Sequence, residues 1–90
     1  MNATQIRDEN LAGTDAKQRL SEDILKRLMH AKGIKSIAEL SRRTRERGSY
    51  VSKSTIFRLI SGEVQPTLRV GRALARELDT TVETLFAKDR

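Results

Sequence analysis

From about Ser21 the large apolar residues fall at helical spacing: Leu20, Ile24, Leu25 and Leu28 occupy i, i+4, i+5 and i+8. Glu22 and Asp23 lie in the first turn, where the helix dipole favours acids, and Gly33 stops the run. Ser36-Ile37-Ala38-Glu39 has the Ser-x-x-Glu spacing of a capping box and opens a second helix with Ile37, Leu40 and Ser41 inward; Gly48 ends it or the turn after it. In the stretch VSKSTIFRLISGE, Ser52 is placed to accept from the free amides of a third helix and Gly62 to stop it, which predicts about ten residues. Pro66 precedes Thr67, a cap for a fourth helix whose expected buried set is Leu68, Leu74, Ala75 and Leu78. A last short helix starts after Thr81 and buries Val82, Leu85 and Phe86. No stretch alternates with period two, so the predicted class is all-α, a compact bundle of five short helices. Residues 1–13 are polar apart from Ile6 and Leu11, and we expect a flexible N-terminal arm over residues 1–19 ahead of a folded domain over 20–90.

Ninety residues fit one domain, and no second, sensing or catalytic one is expected. The net charge of +6 and a pI near 10.3 point to a polyanionic partner, nucleic acid or an anionic membrane surface. Residues 1–20 hold three basic and three acidic residues, so the whole excess falls on residues 21–90. Cysteine is absent, which excludes a disulfide framework and fits a reducing compartment. No apolar run approaches a membrane span and no secretory layout is present, so a cytoplasmic protein, nucleoid-associated when bound to DNA, is expected.

The third helix has two faces. Ile56, Leu59 and Ile60 make one apolar stripe, while Lys53, Ser54, Phe57, Arg58 and Ser61 form a continuous outward face of two cations, two hydroxyls and an aromatic ring. Such a face suits a DNA major groove: Lys and Arg donate to guanine, Ser donates or accepts, and a Phe ring meets the thymine methyl. Any surface helix is polar outside, so the neighbouring charge matters. Between Arg42 and Arg58 stand six basic residues, Arg42, Arg43, Arg45, Arg47, Lys53 and Arg58, against one acid, Glu46. Phosphates flank the groove that such a helix would enter, which gives these cations a use beyond solvation.

With these features the chain resembles the lambda-repressor-like helix-turn-helix (Xre/Cro-type) DNA-binding domains, from roughly Leu20 to Phe86. The resemblance rests on Val51-Ser52-Lys53-Ser54-Thr55-Ile56, Leu59, Ser61-Gly62, Pro66-Thr67-Leu68, Leu74-Ala75-Arg76, Leu78, Val82-Glu83 and Leu85-Phe86. It implies that the second and third helices form the helix-turn-helix, that Lys53, Ser54, Phe57 and Arg58 read bases, and that Ser52 and Ser61 touch phosphate. Ser36, Arg43, Arg45, Arg47, Tyr50 and Thr55 complete the expected phosphate contacts. Two features depart from the family pattern. Ile37 stands where a phosphate-binding Gln is usual, so that Lys35 or Ser36 must substitute. Thr44-Arg45-Glu46-Arg47-Gly48-Ser49-Tyr50 replaces a tighter turn. Either the second helix runs on to Arg47 or a loop bulges toward the DNA backbone, with Tyr50 packed beneath it or donating to a phosphate.

Other classes fit less well. His30, the single histidine, is a helix-end residue favoured by the dipole; the carboxylates are scattered and the glycines isolated, so no enzyme, metal site or cofactor is expected. A membrane-surface helix would gather its apolar residues on one long element. The expected activity is that of a sequence-specific double-stranded DNA-binding transcriptional regulator, a repressor binding an inverted-repeat operator as a homodimer. The alternative is an antitoxin that neutralises a small protein partner and autoregulates its operon.

Overall fold

The structure, a computed structural model, describes residues 18–86. Five helices follow in order: α1 Glu22–Ala31, α2 Ile37–Glu46, α3 Lys53–Ser61, α4 Leu68–Leu78 and α5 Val82–Leu85. Each opens on a hydroxyl. Ser21, Ser36, Ser52, Thr67 and Thr81 stand extended at the N-caps, and their side chains accept from the backbone N–H three residues on. Each cap satisfies an otherwise orphaned donor and contributes about 1 kcal/mol. At α2 the Glu39 carboxylate reaches back one residue beyond the cap and accepts from the Lys35 N–H at 3.0 Å. That bond, helped by Arg43, holds the Glu39 pKa below the usual carboxylate range.

Helices α1 and α2 end alike. Ile34 N–H donates to the Met29 carbonyl at 2.8 Å and Gly33 N–H to His30 at 3.1 Å; Ser49 N–H donates to Thr44 and Gly48 N–H to Arg45, both at 3.0 Å. This paired pattern needs a left-handed residue after the helix, supplied by Gly33 at φ +71 and Gly48 at φ +88. Helix α4 closes the same way on a non-glycine: Asp79 has φ 57, and Thr80 N–H donates to the Ala75 carbonyl at 2.9 Å.

The core gathers Leu25 and Met29 from α1, Leu40 from α2, Ile56 and Leu59 from α3, Leu74 and Leu78 from α4, and Leu85 and Phe86. Helix α2 packs on α3 and α4, while α5 packs on α4 and α1. Leu20 also belongs to the core; its N–H donates to the Leu59 carbonyl at 3.1 Å, and Ser21 N–H donates to Leu85 at 2.9 Å. The last two residues of the expected arm lie against the domain. Gln18 N–H donates to Gln65 Oε1 at 3.2 Å, and the Arg19 side chain covers Gly62, where a Cβ would come within 2.7 Å of Arg19 Nε. The remainder of that arm, residues 1–17, lies outside the described residues, as do residues 87–90.

One expected core residue is not in the core. Leu68 is 64% exposed. At 100° per residue it shares the outer face of α4 with Arg72 and Arg76, and the inner stripe is Val70, Leu74 and Leu78, with Gly71 and Ala75 beside them.

Helix α2 runs on to Glu46, with Arg47 as C-cap, in place of a bulging loop. It can do so because its inner stripe continues by one turn: Leu40 and Ser41 are followed by Thr44, which is 1% exposed. The chain then returns at Val51, which is 2% exposed. Val51 N–H donates to Thr44 Oγ1 at 2.9 Å, and the Val51 carbonyl accepts from Ser41 Oγ at 2.7 Å. Two side-chain hydroxyls of α2 therefore meet both backbone groups of the residue just before the α3 cap.

Candidate nucleic-acid interface

Helix α3 is nine residues long and is divided as its spacing predicts. Ile56 and Leu59 are buried and Ile60 is half-buried, while Lys53, Ser54, Phe57, Arg58 and Ser61 are exposed. Phe57 leaves 51% of its surface to solvent, an expensive position for an aromatic ring in isolation. Ser52 is committed twice: it caps Thr55 N–H at 3.1 Å, and its hydroxyl shares a 2.9 Å hydrogen bond with Thr55 Oγ1. Ser61 Oγ donates to the Arg58 carbonyl at 3.0 Å and accepts from Glu63 N–H at 3.3 Å, so it finishes its own helix.

The expected phosphate-facing residues divide into groups. Arg45 and Tyr50 meet across the turn, with the guanidinium 4.6 Å above the ring. Tyr50 is 43% exposed and is therefore a surface residue, not one packed beneath the turn. Hydrogen bonding by Arg45, then by Ser41, favours its phenolate and lowers its pKa. Arg42, Arg45, Tyr50 and Lys53 line one open hollow of about 390 Å³ between α2 and the start of α3. Ser36 stands at the start of α2, two residues ahead of Ala38, which also lines the hollow, and caps Glu39.

Three other arginines of the basic run are held by carboxylates. Arg43 Nη2 lies 3.1 Å from Glu39 Oε2, and Arg42 makes a looser, solvated pair with Glu46 at 3.9 Å. Arg47 turns away from the α3 face and pairs through Nε with Glu77 on α4, whose side chain is only 5% exposed. The pair is one of charge contact without an aligned hydrogen bond, since Glu77 Oε2 has no hydrogen-bond partner. Three of the six cations between Arg42 and Arg58 thus have acidic partners, and the sequence excess there overstates the charge offered to a ligand.

One residue at this surface escapes the sequence reading. Arg69, in the first turn of α4, donates from Nη1 to Ser49 Oγ at 3.2 Å and to the Tyr50 carbonyl at 3.1 Å, tying α4 to the turn ahead of α3. The signal was present in the spacing of Arg69, Arg72 and Arg76 at i, i+3 and i+7, which places three cations on one helical stripe.

Two helices packed through a turn, the second with a buried stripe and a bare polar face, and further helices bracing them, make a helix-turn-helix DNA-binding domain. A family model of the Cro/C1-type helix-turn-helix DNA-binding domain matches residues 24–87, and the chain belongs to that family. It is a DNA-binding protein of the transcription-regulator kind. No curated protein and no solved structure matches the chain significantly. No helix among the described residues is long and apolar enough to cross a membrane.

Proposed function

We propose that the protein is a cytoplasmic repressor that binds an inverted-repeat operator as a homodimer and reads bases with Lys53, Ser54, Phe57 and Arg58. The observation that carries this reading is the outer face of α3. Its four side chains are exposed and make no hydrogen bond or ion pair among the described residues, so their donors and the Phe57 ring are free for base edges. Around them Arg45, Tyr50, Ser52 and Thr55 stand where backbone phosphates would flank α3, and Ser36 offers a hydroxyl at the start of α2. At Arg43 and Arg47 a phosphate would have to compete with Glu39 and Glu77, and at Ser61 with its own helix end.

Dimerisation follows from the size of the reading surface. Nine helical residues reach few base pairs, and two-fold pairing doubles the contacts. Repression is the regulatory sense of a domain that occupies its site and excludes other proteins. Selection of bound duplexes from a random pool, with stoichiometry measured on the winning site, tests the proposal. It should return an inverted repeat with half-site centres ~34–36 Å apart, or a multiple, holding two chains. A non-repeated site bound by one chain would overturn the dimer, and a pool without enrichment would overturn sequence reading.

A further inference from the structure

We propose that α4 carries a second phosphate site: the hollow lined by Arg69, Arg72 and Arg76 takes the backbone of the same duplex, beside the groove that α3 enters. The inference rests on the DNA-binding reading above.

Charge compensation is the first observation. Every arginine of α2 except Arg45 has a carboxylate partner, whereas Arg72 and Arg76 have no ion pair or hydrogen bond among the described residues, and Arg69 bonds only to the neutral Ser49 hydroxyl and the Tyr50 carbonyl. The exposed face of α4 thus carries three uncompensated cations, a larger cluster than α3 offers. Like charges at i, i+3 and i+7 repel, so an arrangement that costs helix stability points to an anionic occupant.

Shape is the second. Arg69, Arg72 and Arg76 line one open hollow of about 330 Å³, together with Ser49, Leu68 and Ala73. Guanidinium forks match phosphate oxygens in pairs, which a row of scattered surface lysines would not.

Position is the third. Arg69 is hydrogen-bonded to Ser49 and Tyr50, three and two residues ahead of the Ser52 cap. The hollow therefore begins beside the N-terminal end of the reading helix. From Arg69 to Arg76 the stripe advances about 10 Å, roughly three base steps of one strand at ~3.4 Å each. A helix entering the groove by that end brings the stripe alongside phosphates outside the bases that α3 contacts. A polyanion on this face explains why its charge survives uncompensated while that of α2 is neutralised.

The test measures duplex binding against salt for wild type, Arg72→Gln/Arg76→Gln and Arg72→Lys/Arg76→Lys, on the selected site and on an unrelated duplex. Both replacements are good helix formers at exposed positions, and thermal melting no lower than wild type confirms intact folds. The Gln variant should lower the slope of log affinity against log salt by about one to two units per chain on both duplexes, leaving their ranking unchanged. The Lys variant should keep most of the slope. A Gln variant with the wild-type slope overturns the site while leaving the α3 reading intact, and the face would then suit an acidic protein. A changed ranking also overturns it, since the stripe would then read bases. Wild-type protein that binds neither duplex defeats both proposals.

Discussion

Thr44 Oγ1 accepts from the Val51 N–H at 2.9 Å while its own proton goes to the Ser41 carbonyl at 2.6 Å. One buried hydroxyl thus holds the start of the reading helix against the end of α2. Thr44→Val keeps the shape and removes the acceptor, leaving the Val51 amide buried without a partner. Such a loss costs roughly 1–3 kcal/mol. Urea unfolding should show it as a lower midpoint with an unchanged slope; a variant as stable as wild type would mean that water reaches the amide.

The Arg47 and Glu77 pair yields a different pattern. Arg47→Ala strands a carboxylate that is 5% exposed, while the arginine itself is 57% exposed. The loss should fall below the ~3–5 kcal/mol of a fully buried pair, at about 1–3 kcal/mol. Arg47→Ala/Glu77→Gln should recover most of it. A double variant no better than the single one would show that Arg47 contributes by packing its stem on α4.

Tyr50 is the only tyrosine and tryptophan is absent, so phenolate absorbance in the ultraviolet reports this ring alone. Arg45 and Ser41 favour the ionised form, so the phenol should titrate below the ordinary value of about 10. Arg45→Ala should raise it. Because the folded pKa is the lower one, this interaction adds stability only above the unfolded value, and loses it as pH falls through the folded value; at neutral pH it contributes nothing. An Arg45→Ala titration that overlays wild type would remove the stacked pair.

Asp79 places an L-residue with a negative charge in left-handed backbone at the end of α4, where the dipole disfavours it. Asp79→Gly should stabilise by about 0.5–1 kcal/mol. Thermal melting decides the matter: a lower midpoint would reveal a favourable role for the carboxylate.

Arg58→Ala should weaken the selected operator by about 1–3 kcal/mol and unrelated DNA much less. Equal losses on both would move Arg58 from base contact to phosphate contact.

Local signals were legible in the chain and distant ones were not. The hydroxyl caps at Ser36, Ser52 and Thr67 and the stops at Gly33, Gly48 and Gly62 depend on residues within a few positions, so their elements could be placed before any packing was known. The two-faced α3 followed from its period. Leu68 is apolar, yet its angle on the α4 wheel sets it on the outer face beside Arg72. The pairs Glu39 with Arg43 and Arg42 with Glu46 sit at i, i+4 and could have discounted the arginine run. Arg47 with Glu77 could not, since thirty residues separate them and only the contact between α2 and α4 joins them. The same contact network decides which cations remain for a ligand, so the site's charge was less legible than its helices.

The hydrogen bond from Ser21 N–H to the Leu85 carbonyl brings the first and last turns of the described fold side by side. A short flexible tether can therefore run from Phe86 to Gln18 without crossing the domain, which makes the fold suited to circular permutation. Two copies can likewise be joined in tandem on one polypeptide. Their meeting would then be intramolecular, at an effective concentration in the millimolar range, and site occupancy would rise with the first power of protein concentration instead of the second.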